Sequence, residues 1–307
     1  MAGSTSFHER ALKYHITHTT RYTYTELAPV CHNLVHLAPR ADARQKCVDY
    51  HLKVEPTPAF FTSRNDYFGN RAEYFSIESA HRNLQIIAES TVEVLPSGAT
   101  QLADAPWQEC VMNRTQLGDV RRPAGTIEPF HAQLAFPSPR VPLLPELRDY
   151  AAKSLLPKRP IVQAVVDLTA RIHHDFEFDP RATTVDTPLA ETLRLRRGVC
   201  QDFAHLAIGC LRSMGLPARY VSGYLRTTPP AGKARLVGAD ASHAWCSAWC
   251  GPLGWLDFDP TNNCLVGDSY VTIAWGRDYG DVCPIQGMFV GGGQHRIAVS
   301  VDVAPLA

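Results

Sequence analysis

Residues 196–215 read Arg196-Arg197-Gly198-Val199-Cys200-Gln201-Asp202-Phe203-Ala204-His205-Leu206-Ala207-Ile208-Gly209-Cys210-Leu211-Arg212-Ser213-Met214-Gly215. Apolar residues fall at 203, 206, 207, 210, 211 and 214, the i, i+3, i+4, i+7 spacing of a buried helical stripe. Gly215 follows the last periodic residue, where a left-handed cap is expected. Gly198 precedes the first turn, and a sharp turn into the helix predicts a positive φ there. Cys200 then stands in the first turn, off the apolar stripe. Backbone N–H groups at a helix N-terminus carry partial positive charge, which favours thiolate over thiol. A thiolate attacks carbonyl carbon. Taken alone, the stretch is equally readable as a helix with a merely structural cysteine.

Downstream, Ser242-His243-Ala244-Trp245-Cys246-Ser247-Ala248-Trp249 reads as a strand with His243, Trp245, Ser247 and Trp249 on one face. Gly251-Pro252-Leu253-Gly254 supplies a turn, and Trp255-Leu256-Asp257-Phe258-Asp259 returns, closed by Pro260. A hairpin loop with an odd number of residues keeps odd positions of both strands on one face. Pairing 249 with 255 sets Asp257 against Ser247 and leaves Asp259 diagonal to His243, within side-chain reach. Asp259, rather than Asp257, is therefore the expected partner of His243. The bland readings are a core histidine and a turn aspartate before proline. Together with Cys200, the three residues fit a nucleophile, a base and the residue that orients the base. The Cys200 N–H would donate to the oxyanion. The two tryptophans that share the face of His243 either shape a pocket or pack the core, and core packing is expected for Trp249.

Upstream, residues 161–176 have helical spacing, and Asp186-Thr187-Pro188-Leu189 starts another helix with proline near its first turn. Residues 97–160 are rich in proline and read as a connecting region, with Trp107, Phe130, Leu134 and Phe136 expected to be buried and a short helix between Leu144 and Leu155. Residues 1–96 alternate instead. Strands are predicted over 12–24, 31–37, 46–54, 71–78 and 83–95, with Asp66-Tyr67-Phe68-Gly69-Asn70 as a turn. Several short strands with regular turns predict a β-sandwich-like domain. His15, His18, His32, His36 and His51 lie in it as surface or rim residues and receive no chemistry. Residues 218–225 and 297–303 predict further strands, and a polar loop covers 227–240. The fold class is α+β: a β-rich domain (1–96), the connecting region (97–160) and a catalytic domain (161–307) with a C-terminal strand extension.

Of the 307 residues, 30 are Lys or Arg and 30 are Asp or Glu, so no global field draws in nucleic acid or an anionic membrane. Residues 1–10 lack a signal-peptide pattern and no apolar run reaches membrane-spanning length. The expectation is a soluble cytoplasmic protein. The nine cysteines form no C-x-x-C pair, and free thiols are expected. A zinc site of His243, Cys246 and Cys250 is disfavoured because 246 points to the opposite strand face from 243. Gly291-Gly292-Gly293 is not a phosphate loop, since no helix pattern follows.

Gly198-x-Cys200-x-x-x-Ala204, Ser242-His243-Ala244-Trp245 and Asp259-Pro260-Thr261 together resemble the three signatures of the transglutaminase-like superfamily of papain-type cysteine enzymes. Its bacterial branch is more similar still. Residues 198–205 and 215–224 resemble its longest motif, and residues 14–24 and 66–70 resemble its β-rich N-terminal region. Gly276-Arg277-Asp278-Tyr279 and the three glycines at 291–293 resemble its C-terminal part. The resemblance implies a papain-like core, a Cys-bearing helix packed on an antiparallel sheet bearing His and Asp. It makes Cys200 the nucleophile, His243 the base and Asp259 the orienting residue. Cys246 and Cys250 depart from the valine-like or acidic residues expected there. The branch's members are described as candidate cysteine proteases, which implies amide hydrolysis through a thioester, with a protein or peptide as substrate. Acyl transfer to an amine and a catalytically inactive binding module are the alternatives. No cofactor and no metal are expected, since no acidic cluster has calcium-loop spacing.

Overall fold

The computed structural model describes residues 11–95, 105–111, 129–227 and 240–306. Strands come first: β1 (Leu12–Ala28), β2 (Val30–Val35), β3 (Gln45–Glu55), β4 (Phe60–Asn65), β5 (Arg71–Ile77) and β6 (His81–Val94). Helices α1 (Pro129–Ala132), α2 (Pro145–Ala152) and α3 (Ile161–Asp175) follow, then β7 (Glu177–Phe178), α4 (Leu189–Leu195), β8 (Arg197–Gly198) and α5 (Cys200–Ser213). Next are β9 (Ala218–Leu225), β10 (Ala241–Trp249), β11 (Trp255–Asp259), β12 (Cys264–Leu265) and β13 (Tyr270–Gly276). Helix α6 (Tyr279–Val282) and strands β14 (Ile285–Val290) and β15 (His295–Leu306) come last. Among the described residues, no helix is long and apolar enough to cross a membrane.

Two four-stranded sheets, ordered β15-β1-β6-β3 and β14-β2-β5-β4, form the strand-rich part. Their inner faces share one core: Tyr24, Leu84 and Ile86 from the first, Cys31, Val35, Phe75 and Ile77 from the second. Each sheet takes a strand from the far end of the chain. β15 pairs antiparallel with β1, Tyr24 opposite His295, and β14 pairs antiparallel with β2.

The second core is built on α5, which lies against the five-stranded sheet β12-β11-β10-β9-β13. Phe203, Leu206, Ala207, Cys210 and Leu211 are fully enclosed, the stripe that the spacing predicts. Leu168 and Ile172 of α3 join the same cluster, as do Leu147 and Ala151 of α2, so this helix of the 97–160 region contributes to the core. Gly215 has φ +82°, and its N–H and that of Leu216 close onto the carbonyls of Arg212 and Leu211 at 2.9 and 3.0 Å. That is the paired-bond left-handed cap.

The two parts are joined by polar and apolar contacts. Tyr14, Ile16, Val92, Val94, Val301 and Val303 of the first sheet lie in the cluster that contains α5. Strand β13, at the edge of the five-stranded sheet, is met by two side-chain amides. Gln45 accepts from the Thr272 N–H at 2.8 Å and donates to the Thr272 carbonyl at 2.7 Å. Asn70 does the same at Trp275, at 3.0 Å in both directions. Each amide copies the donor–acceptor pair of a missing neighbour strand. Asp66 holds the Asn70 amide in position, accepting from the Asn70 N–H at 2.8 Å and from its side-chain Nδ2 at 2.7 Å. The turn at 66–70 thus has a docking role beyond reversing the chain.

Several local expectations need correction. Gly198 is not at positive φ; a Cβ there would lie 2.6 Å from the Asp202 carboxylate, so close approach is the reason for glycine. The alternation predicted over 46–54 is broken by a bulge between Cys47 and Asp49, beside which Val48 is 46% exposed. His18 and His36 are buried, not rim residues. Leu134 is buried as expected, but Phe130 and Phe136 are exposed by 37% and 39%.

Candidate active site

Helix α5 begins at Cys200 because Val199 is extended, at φ −117° and ψ −178°, and Asp202 caps the first turn. One Asp202 oxygen accepts from the Val199 N–H at 2.9 Å and from the Thr183 hydroxyl at 2.7 Å; the other accepts from Thr192 at 3.3 Å. A third-position acid that reaches back to the residue before the helix fixes the start to a single residue. Cys200 is thereby held half-buried at the helix tip, where first-turn N–H groups have no partner within the helix.

Strand β10 carries His243. Its hairpin with β11 pairs Trp249 with Trp255, Ser247 with Asp257 and Cys246 with Phe258, the register expected from the odd loop. Asp259 is fully enclosed, and its Oδ2 lies 2.7 Å from His243 Nε2. The same oxygen accepts from Asn262 Nδ2 at 2.6 Å and from the Tyr270 hydroxyl at 2.8 Å. Its other oxygen accepts from the backbone N–H of Thr261 at 2.8 Å and of Asn262 at 3.3 Å. Asp257 points elsewhere: it accepts from Trp245 Nε1 at 3.4 Å and faces Arg44 at 3.9 Å.

His243 and Cys200 line the same cleft, and Cys200 is close enough to act on the His243 ring. With Nε2 committed to Asp259, Nδ1 is the ring nitrogen left for the thiol. Burial alone would disfavour the imidazolium. The hydrogen bond to Asp259 and the nearby Cys200, with the charges of both, outweigh burial and raise the His243 pKa to about 10. For Asp259, burial pushes upward, but the His243, Asn262 and Tyr270 contacts hold the carboxyl below its usual value. The two side chains form an imidazolium–carboxylate pair.

The structure places Cys200 and His243 on one cleft of about 430 Å3, with Asp259 enclosed behind His243. Cys200, Gln201 and Val199 line one side, Ser242, His243 and Ala244 another, and strands β1, β14 and β15 of the sandwich a third. Trp245 does not line it; it is enclosed with Val221, Val266 and Tyr270. Cys246 and Cys250 are buried, and Cys246 Sγ points to the Ala204 carbonyl of α5 at 3.6 Å, away from His243. Packing against α5 accounts for Cys246, while Cys250 lies in the same core cluster with its Sγ 3.7 Å from the Ala248 carbonyl. Among the described residues, no group of three or more His, Cys, Asp or Glu is placed to hold a metal ion. Residues 228–239 of the polar loop lie outside the described residues.

Family models match both parts of the chain. Residues 14–93 match the bacterial transglutaminase-like N-terminal region and residues 148–260 match the transglutaminase-like superfamily. An uncharacterized protein of Mycobacterium tuberculosis is 40% identical over 298 residues, 95% of this chain and 93% of the relative. The chain belongs to the transglutaminase-like superfamily. A solved structure of a candidate cysteine protease from Cytophaga hutchinsonii has the same fold, with a TM-score of 0.75 over 97% of this chain and 92% of the other, at 21% identity. A protein-glutamine gamma-glutamyltransferase of Pseudomonas aeruginosa is 36% identical over 101 residues, 32% of this chain and 15% of that protein. Membership in this transglutaminase-like family supports cysteine-dependent catalysis in general.

Sequence reasoning did not single out Asp202, Asn262, Tyr270 or His18. An acid at the third helical position signals Asp202. Asn262 follows Asp259-Pro260 in a turn, where its reach is local. Tyr270 and His18 come from distant strands, and only the folded arrangement puts them at the site.

Proposed function

We propose that this protein is a cysteine-dependent amide-bond hydrolase, a peptidase or amidase, in which Cys200 is the nucleophile, His243 the base and Asp259 the residue that orients it. One observation carries the reading: the enclosed 2.7 Å contact of His243 Nε2 with Asp259, on a histidine that lines the same cleft as Cys200 at the tip of α5. Cys200 reacts as the thiolate, its proton already held by His243 as the imidazolium, and in the acylation step sulfur forms a bond to the carbonyl carbon. The Cys200 backbone N–H donates to the resulting oxyanion. The C–N bond then breaks, and the amine leaves with the proton from His243. Water attacks the thioester, gives its proton to His243, and the C–S bond breaks to restore the Cys200 thiolate beside the His243 imidazolium. Asp259 stays ionised throughout and holds the ring in place. Likeness along the whole chain to a structure described as a cysteine protease favours water as acceptor.

Transfer to an amine is the second reading, favoured by the stretch shared with the gamma-glutamyltransferase. Incubation with β-casein, with and without dansylcadaverine, separates them by mass spectrometry. New peptide termini with the wild type and none with Cys200→Ala support hydrolysis. Amine incorporation without new termini assigns transfer. Either product persisting in Cys200→Ala defeats the mechanism.

A further inference from the structure

We infer that the sandwich strands β1 and β15 form a substrate-binding wall of the cleft, which selects an extended and uncharged segment of polypeptide. The inference rests on the cysteine-enzyme reading above and names the substrate class of that site. His18, Thr20 and Tyr22 of β1, Ile285 of β14 and Ile297 and Val299 of β15 line the sandwich side of the cleft. Among the described residues, no Asp, Glu, Lys or Arg lines any part of it. His18 is the ionisable group nearest to a charge on this wall, and it is spent internally. Its Nδ1 pairs with the Tyr224 hydroxyl and its Nε2 with Thr20 Oγ1, both at 2.9 Å. Burial drives its pKa down to about 4, so the ring is neutral at physiological pH. A charged substrate group placed against this wall would lose water and find no countercharge.

The wall also has an open strand edge. β15 is the outer strand of its sheet, bonded to β1 on one side. On the other side, among the described residues, the only bridge joins Val301 to Asp240. Residues 295–300 therefore offer backbone N–H and C=O groups beside two apolar side chains, Ile297 and Val299, exposed by 53% and 55%. An extended peptide satisfies both features at once, backbone to edge and apolar side chains to the wall. Cys200 at the floor of the same cleft places the bound chain next to the nucleophile.

The test is protection of Cys200 from iodoacetamide, read by mass spectrometry on the full chain. Three acetylated, amidated hexapeptides serve as probes: alternating leucine and glutamine, and the same peptide with glutamate or with lysine replacing leucine. The neutral peptide is expected to halve the Cys200 labelling rate at a concentration at least about tenfold lower than either charged one. Val299→Glu should shift the preference to the lysine peptide, and Ile297→Lys to the glutamate peptide. Each protected rate is divided by the unprotected rate of the same variant. Equal protection by all three peptides, no protection by the neutral one, or an unchanged ranking in both variants overturns the inference. The unprotected labelling rate of Cys200 against the other thiols reports separately on the cysteine-enzyme reading, and its failure takes the inference with it.

Discussion

Asp259 is the most heavily supported side chain of the site, with three donors on Oδ2 and two on Oδ1. Removing one donor to a buried carboxylate costs about 1.5–3 kcal/mol. Tyr270→Phe should lower stability by about that amount in denaturant titration and slow turnover. Asp259→Asn should slow turnover by about 10²- to 10⁴-fold, the range for general acid–base catalysis. The pH dependence follows from the direction of each shift. His243 is raised from 6.5 to about 10, so its stabilisation is complete below 6.5 and is lost as pH rises through about 10. Asp259 is depressed, so its contribution is present above its ordinary value of 3.8 and is lost as pH falls through its lowered one. Activity and thermal stability should therefore fall together on the alkaline side near the His243 pKa. Asp259→Asn should move that limb to lower pH; a limb unmoved in the variant contradicts the pairing. At this scale the site was largely legible. An odd hairpin loop decides between Asp257 and Asp259, because side-chain period in a strand is two residues. Tyr270 was not legible, since its strand is buried on both faces and shows no alternation.

Helix α5 and the edge of β13 are the elements on which the site depends. Asp202 accepts from Val199, Thr183 and Thr192, and it is buried. Asp202→Ala should unfix the first turn and cost about 1–3 kcal/mol through the donors left unmet. Thermal unfolding would read this loss, together with slower labelling of Cys200; a variant with wild-type stability and labelling would show that the helix start needs no such anchor. The α5 stripe and its Gly215 cap were readable from spacing. Strand β4 was not, because its six residues are all exposed at a sheet edge and have no buried face to impose alternation. Strand β13 escaped for the opposite reason. The role of Asn70 was equally hidden, since pairing a side-chain amide with the backbone at Trp275 is a contact between distant parts of the chain. Asn70→Leu should remove both hydrogen bonds to the Trp275 backbone and destabilise the protein by about 2–5 kcal/mol. An unchanged unfolding midpoint would remove Asn70 from the interface account.

As a whole molecule, the protein closes on itself: β14 and β15 return to the sandwich, and sandwich residues enter the core around α5. The sequence predicts a last strand but not its partner, because alternation specifies a buried face and not the strand beside it. A chain ended after Pro284 loses one strand from each sandwich sheet and the β14 and β15 side of the cleft wall. It should be insoluble or unfold without a cooperative transition; a soluble, cooperatively folding product would contradict this interdependence. None of the nine cysteines is in a disulfide, which makes the molecule its own control. Five are buried, while Cys47, Cys264 and Cys283 are partly exposed, as Cys200 is. Burial pushes the Cys47 and Cys264 thiols above their ordinary value, so neither should be alkylated readily. The most direct test of the Cys200–His243–Asp259 assignment is site-resolved iodoacetamide labelling of the native protein at pH 6. The account predicts that Cys200 reacts fastest of the nine and that His243→Ala abolishes its lead. Labelling of Cys200 no faster than that of Cys47, Cys264 and Cys283, or a lead that survives His243→Ala, would contradict it.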